Sequence, residues 1–392
     1  MNVHMPMPVR EQWRLEVVQT GEQLTSVGPA WAQLWSEVDG LVFQSPAWVS
    51  AWWNTLPIHH RHALRIGLIW QGDKLRAVLP LVVTRRMGLR FLEWAAIACT
   101  DYPDILAAPD CPPEKLEALW VSLLAAGGFD IVQLALLLPD AKMRTVIASG
   151  ETGKIRLQPG HRSEVSCRVV GDFSGEGGWL AQQSKKTRQN YRRGHKLLEE
   201  NAAVCFRLLD PSSDQLGPVV EQFYRLKRKW LIDTDRESEL LEADTGAVPA
   251  LVDVLKTLGI LRIFVIERSS EIVAMSINFE QRGAMMAFLT TFDPAYEKAS
   301  PGAVLIMDYI QWSAKHGLQT VDFLRGAEGF KFRFATQTVT LETMVGARTI
   351  LGHAAMFANR IRLRLRRKPV ADESEADAAK TPAMASDIVP AS

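Results

Sequence analysis

Along the first 140 residues the period of the hydrophobic positions changes, and each change marks a new element. "GEQLTSVGPAWAQLWSEV" has apolar residues at helical spacing, and "SPAWVSAWWNTL" opens with Ser45 as an N-cap and Pro46 at the first helical position. Both are read as helices. The period then shortens to that of strands: "HALRIGLIWQGDKLRAVLPLVVTRR" holds two apolar runs around Gln71-Gly72-Asp73, which predicts an antiparallel hairpin, and "LRFLEWAAI" after Gly88 is a third strand. After the polar loop "CTDYPDILAAPDCPP", "EKLEALWVSLLAAGG" is a helix stopped by glycine and "FDIVQLALL" a buried strand.

The same order returns beyond "SGETGKIRLQPGHRSE". Leading helices are predicted over "WLAQQSKKTRQNYRRGHKLLEEN" and "DQLGPVVEQFYRLKRKWL", with "AVCFRLL" a strand between them and a further helix at "AVPALVDVLKTLG". Three strands follow, "LRIFVIE", "IVAMSINFE" and "AMMAFLTTF", then the helix "GAVLIMDYIQWSAKHG" and the strand "QTVDFL". The two halves match in element order and not in residues, which predicts a duplicated α/β unit with domains over 10–155 and 163–348. Past the last strand, "TVTLETMVGA", residues 349–368 form a helix with a basic end. Two readings stay open for it: contact with an anionic membrane surface, or docking on its own domain with the Arg/Lys end in water. Residues 369–392 lack aromatic residues and apolar periodicity and are expected to be disordered.

Composition narrows the function classes. The 392 residues carry 45 basic and 44 acidic side chains, net +1, which gives no general reason for a polyanionic partner, and DNA is not expected. With no apolar leader at the amino terminus and no run of about 20 apolar residues, the expectation is a soluble cytoplasmic protein. Cys99, Cys111, Cys167 and Cys205 form no CxxC pair and are read as small buried or half-buried apolar side chains. His59, His60 and His62 beside Pro57 read as a solvated turn, and no metal is expected.

Chemistry-bearing residues gather late in the chain. The helix at Gly302 follows a strand through "DPAYEKASPG", so its first free N–H groups offer an anion site, with Ser300, Gly302 and Ala303 at the backbone and Lys298 as a point charge. An ordinary Ser/Pro helix start fits the same residues. Next to it in the fold comes "DFLRGAEGFKFRFA", dense in charge and aromatic residues.

The ordered set "SKKTRQNYRRGHKLLEE", "FYRLKRKW", "SPGAVLIMDYIQWSAKHG" and "VDFLRGAEGFKFRFA" over residues 165–346 resembles the acyltransferase domain of CelD-like proteins, of the GNAT superfamily. "FQSPAWVSAWWNTL", "LRAVLPLVV" and "DYPDILAAPD" resemble the amino-terminal part of such proteins. The resemblance implies tandem GNAT-like folds, each a mixed, mostly antiparallel sheet flanked by helices, the second catalytic and the first supporting. It implies acetyl-CoA or another acyl-CoA as donor, and a sugar or amine acceptor in exopolysaccharide or cellulose production. Where the family carries a Q/R-x-x-G-x-G/A loop, this chain has "EKASPG", with Glu297 and Ser300 in place of the leading Gln/Arg and the first glycine. The same loop is similar to that of FemABX-type transferases, which use aminoacyl-tRNA instead. A third reading is a non-catalytic scaffold in polysaccharide synthesis.

Thioester acyl transfer needs no covalent enzyme nucleophile, only a base and an oxyanion donor, here a backbone N–H of "AMMAFLTTF". Asp322, Glu328, Asp293 and His316 are the titratable candidates, Asp322 and Glu328 being favoured, each with a cap or ion-pair role to Arg325 or Lys331 as the alternative. Tyr296 is a candidate acid for the departing thiolate, or a packing residue. Arg188 and Arg192, one turn apart beside Arg193, are candidates for holding an anionic acceptor or, under the tRNA reading, phosphates; a solvated face is the alternative. Arg325 and Lys331 are further acceptor-side candidates. Trp230 is open between stacking on a sugar and packing, whereas Trp48, Trp52 and Trp53 are read as core.

Overall fold

The computed structural model describes residues 12–56, 61–148, 155–161, 163–173, 175, 177–233 and 246–366. The chain divides into two compact units, one of Met1–Arg162 with Glu342–Arg360, the other of Ser163–Leu341 with Ile361–Ser392. His59 and His60, residues 149–154 and 162 of the join, residues 367–368 of the basic helix and the tail 369–392 lie outside the described residues.

The first unit runs β1 (Trp13–Val18), α1 (Gly21–Glu37), α2 (Pro46–Thr55), β2 (His62–Gln71), β3 (Lys74–Arg86), β4 (Leu89–Trp94), β5 (Leu106–Ala107), α3 (Pro113–Ala126), β6 (Ile131–Leu137), α4 (Lys142–Ala148) and β7 (Gln158–Pro159). Its sheet has the order β1-β2-β3-β4-β6, antiparallel throughout except for the parallel pair β4/β6. The hairpin between β2 and β3 turns where the sequence predicts, at Gly72, whose positive φ of 58° suits a residue without Cβ. α1 starts at a capping box: the Thr20 hydroxyl accepts from the Gln23 N–H, and the Thr20 N–H donates to the Gln23 side chain. Trp31, Trp48, Trp94 and Trp120 are fully buried in this unit, and Trp52 stands edge-on to His62 at the start of β2.

The second unit runs β8 (Glu164–Val170), α5 (Gly178–Ala181), α6 (Lys185–Leu198), β9 (Val204–Leu209), α7 (Leu216–Asp233), α8 (Ala247–Thr257), β10 (Leu261–Arg268), β11 (Glu271–Gln281), β12 (Ala284–Phe292), α9 (Pro301–Lys315), β13 (Thr320–Arg325) and α10 (Gly329–Phe334). A further strand, β14 (Gln337–Ala347), and a helix, α11 (Ile350–Arg366), complete the described residues. The sheet order here is β8-β13-β12-β11-β10-β9, with Gln337–Leu341 of β14 antiparallel to β8 and only β12/β13 parallel. α9 lies on this sheet, where Tyr309 stacks on Phe264 and Leu305, Ile306 and Ile310 join the same buried cluster. Each unit is thus a mixed, largely antiparallel sheet flanked by helices, as expected.

Three features differ from the sequence reading. Each unit begins with a strand before its helices, β1 and β8. β1 is an edge strand with only Val18 buried, too little burial to leave a period-two signal. Cys205 is exposed, because β9 is also an edge strand. Finally, Glu342–Ala347 pair with β6 and belong to the first unit, although the sequence pattern assigns them to the second domain.

Candidate active site

Two irregularities open the second unit's sheet. β12 and β13 pair through Ala284↔Thr320, Met285↔Val321 and Met286↔Asp322, and the ladder ends there. Asp322 explains the divergence. Its carboxylate, 2% exposed as a residue, accepts from the Leu324 N–H at 2.8 Å, which turns Leu324 to a φ of 57° and shifts the β13/β8 register between Asp322 and Arg325. Ser166 Oγ at 3.0 Å and Arg168 Nε at 2.8 Å, both on β8, also donate to it. On the other side, β12 bulges at Phe288, which has no counterpart between the pairs Asn278↔Ala287 and Ile277↔Leu289. Beyond Met286 the β12 edge therefore faces no β13 ladder partner.

Eight residues separate β12 from α9, among them a 3-10 turn over Pro294–Ala299 that Asp293 caps by accepting from the Ala295 N–H. Ser300 takes the left-handed conformation at φ 50° as the N-cap of α9. Pro301 has no N–H, and the Ala303 and Val304 N–H groups donate to the Ser300 carbonyl. Gly302, a buried residue, is left as the first amide of the helix outside these bonds, with the helix dipole behind it and the exposed Lys298 nearby in the chain. These groups suit a phosphate, though with fewer amides than a glycine-rich loop supplies. α6 packs against this turn through Gly194, where a Cβ would lie 2.9 Å from the Ala299 carbonyl and 2.6 Å from Val304 Cγ2.

α7 reaches the bulge from another direction. Lys227 donates from Nζ to the Thr290 carbonyl at 3.2 Å and lies 4.4 Å from the centre of the Trp230 ring. Trp230 stands out in the sequence and Lys227 does not, although their i, i+3 spacing in "KRKW" puts them on one face. On β11, Ser276 and Asn278 are completely buried beside the bulge, bonded to each other at 2.5 Å. No sequence signal separates them from ordinary strand residues.

The remaining candidates are placed as follows. Lys331 is buried, donating to the Arg325 carbonyl and pairing with Glu328 at 3.0 Å, so it staples the turn from β13 into α10. Gly326, with φ 123°, admits this staple because a Cβ there would lie 2.3 Å from Glu328 Oε2. Glu328 keeps 47% of its side chain exposed and Arg325 is half-buried. Tyr296 lies within the 3-10 turn, its hydroxyl 3.5 Å from Glu271 Oε2 and its ring beneath Arg268. Arg188 donates to the carbonyls of Ala181 and Gln183, tying down the turn before α6, while Arg192 and Arg193 are exposed. His316 is the C-cap of α9, about 24 Å along the helix from Ser300, and stacks on Trp312. The helix length removes it from this edge.

The first unit repeats the construction with a different filling. β4 and β6 pair through Phe91↔Ile131, Leu92↔Val132 and Glu93↔Gln133, and Leu136 again has positive φ at 62°. The next residue of β4, however, is Trp94, 1% exposed, whose indole N–H donates to the Ala135 carbonyl of β6 at 3.1 Å and bridges the diverging strands. The corresponding residue of β12 is Ala287, which has only a methyl group.

Residues 185–332 match the family model described as an acetyltransferase (GNAT) domain. No curated protein matches the chain. Among solved structures, it is similar to the C-terminal DUF2156 domain of an Agrobacterium fabrum protein (TM-score 0.55, 13% identity, 86% of this chain and 96% of that one). FemX (TM-score 0.52, 10% identity, 84% and 96%) and L-PGS from Bacillus licheniformis (TM-score 0.52, 12% identity, 86% and 97%) are similar too. At these identities the structural likenesses establish the fold alone. The family match goes further: residues 185–332 carry a GNAT acetyltransferase domain, which supports a GNAT-type acyltransferase activity.

Proposed function

We propose that the second unit transfers an acyl group, acetyl in the first instance, from a coenzyme A thioester to the amine or hydroxyl of a sugar or amine acceptor, while the first unit supports it. One observation carries the assignment of the reaction to the second unit: Ala287 stands where Trp94 bridges the diverging strands of the first. In this reading Lys298 and the Gly302 N–H hold donor phosphate, and N–H groups of β12 beyond Met286 donate to the thioester carbonyl oxygen. One such donor contributes ~3 kcal/mol to the transition state. Glu328 takes the acceptor's proton as its nitrogen or oxygen bonds to the carbonyl carbon and the C–S bond breaks. Asp322 is a positioning residue, since its oxygens already accept from three donors that hold the bulge. Arg325, Lys227 and Trp230 border the acceptor side. A role in exopolysaccharide or cellulose production is supported by the CelD-like resemblance alone.

A second reading, aminoacyl transfer from tRNA, is favoured by α6. Lys185, Lys186, Arg192, Arg193 and Lys196 are all exposed and fall within about a third of the helix circumference, a cationic strip suited to phosphates.

Isothermal titration with acetyl-CoA, longer acyl-CoA esters and tRNA separates the two. Saturable binding of a coenzyme A ester, weakened about tenfold in Lys298→Ala, is expected. Absence of binding by every coenzyme A ester, with tRNA binding that falls steeply with salt, would replace the first reading by the second.

A further inference from the structure

α11 has an apolar strip that the protein does not cover. Ile350 is 90% exposed, Leu351 56%, Phe357 64%, Ile361 42% and Leu365 68%. On a helix of about 100° per residue these five, with the exposed Ala354 and Ala358 between them, fall within about a third of the circumference. The strip runs the length of the helix, about 25 Å for 17 residues. Gly352, Met356 and Leu363, on the opposite side, are buried or half-buried, as is Ala355 just outside the strip's margin. Docking on its own domain therefore does not explain why α11 is amphipathic.

Charge identifies what covers the strip. Arg360 and Arg364 border it on one side and Arg362 on the other, all exposed, and α11 contains no acidic residue. Arg366, Arg367 and Lys368 extend the charge in sequence. Long cationic side chains on both margins of an apolar face can bury their stems and keep their heads at a phosphate layer. A second copy of the helix fits less well, because its arginines would meet these arginines across the contact.

We infer that α11 is an interfacial helix, which lays Phe357, Ile361 and Leu365 into the surface of an anionic phospholipid bilayer while its arginines contact the headgroups. This binding is independent of the acyl-transfer reading. No helix among the described residues is long and apolar enough to cross a membrane, so the contact is peripheral.

The test is co-flotation of the full chain with vesicles of phosphatidylcholine alone and of phosphatidylcholine mixed with phosphatidylglycerol, whose negative surface attracts basic segments, together with sedimentation velocity. Binding to the anionic vesicles is expected, with at least a tenfold loss in Ile361→Glu, a comparable loss in Arg360→Glu/Arg364→Glu, and weakening by salt. These side chains are exposed, so the melting temperature should be unchanged in each variant, which separates lost binding from lost folding. Equal binding by Ile361→Glu, or no binding by the parent chain, would overturn the inference. So would a dimer that Ile361→Glu dissolves, which assigns the strip to a second copy, or binding seen only after the chain is ended at Lys368, which assigns it to the acidic tail.

Discussion

Asp322 is conspicuous in the sequence because it is a carboxylate inside an apolar strand, and that composition alone suggests an acid or base. Its partners are not conspicuous: Ser166 lies 156 positions away and reaches it only because β8 pairs with β13. The physical consequence is a stability role. Asp322→Ala should lower unfolding free energy by about 2–3 kcal/mol in urea titration, less than for a fully sealed ion pair because Arg168 is 24% exposed and recovers some hydration. The loss should be accompanied by weaker donor binding, since Leu324 would relax and β13 would straighten toward β12. A second residue-scale prediction concerns α6 on α9. Tyr191 donates to Asp308 Oδ1 at 2.5 Å and His195 Nε2 lies 3.4 Å from the same oxygen. The hydrogen bond to Asp308, with its charge and that of Glu199, raises the His195 pKa, against a smaller opposing effect of burial. A histidine whose folded pKa is raised stabilises the fold fully below its unfolded value of about 6.5, and the contribution is lost as pH rises through the folded value. Parent protein should therefore lose about 0.5 kcal/mol relative to His195→Gln on going upward through that window, the scale of a partly screened pair. Parallel melting curves at each pH provide the check, and equal slopes for both proteins would show that the pair does not couple to folding.

Elements were more legible than the residues that join them. The N-cap and proline of α2, the hairpin at Gly72 and the helix α9 after Ser300 all follow from local chemistry that a sequence displays. The bulges at Phe288 and Leu324 do not, because each arises from pairing between strands whose registers are set elsewhere in the sheet. Without the bulges there was no way to see that Trp94 and Ala287 occupy matching places in the two units, or that one bridges a gap and the other does not. The contrast predicts that Ala287→Trp, which transplants the first unit's bridge into the second, will weaken donor binding at least a hundredfold, with an overpacking cost of ~1–3 kcal/mol because Ala287 is 8% exposed and packs in the buried cluster. Calorimetric titration and chemical unfolding of the same preparation measure both. Unchanged donor affinity in a variant that still folds would show that the donor does not pass beside Ala287.

At the scale of the whole molecule, the duplicated architecture is readable from element order, but the path of the chain through it is not. β6 receives its antiparallel neighbour from Glu342–Ala347, with Glu342↔Leu137 and Ala347↔Ile131 as the outer pairs, after the entire second unit has intervened. Such a contact closes a loop of about two hundred residues, whose entropic cost grows only logarithmically with length, so it can be stable even though it forms late. Gly346 shows how closely the strand is fitted: a Cβ there would lie 2.7 Å from Leu157 Cδ2 and 3.0 Å from the Arg156 carbonyl. A chain ended after Arg162 would leave the β6 edge unpaired, with its ladder groups open to association with other chains. That fragment should be less stable than the first unit in the full protein and should aggregate at micromolar concentration. Adding a peptide of residues 337–360 should restore a monomer with a cooperative melt, and the same peptide carrying Gly346→Val should not, because the branched side chain cannot enter the space beside Leu157. Light scattering and circular dichroism distinguish the cases. A soluble fragment that folds equally well without the peptide would show that the distant strand is an addition to a complete sheet and not its closing member.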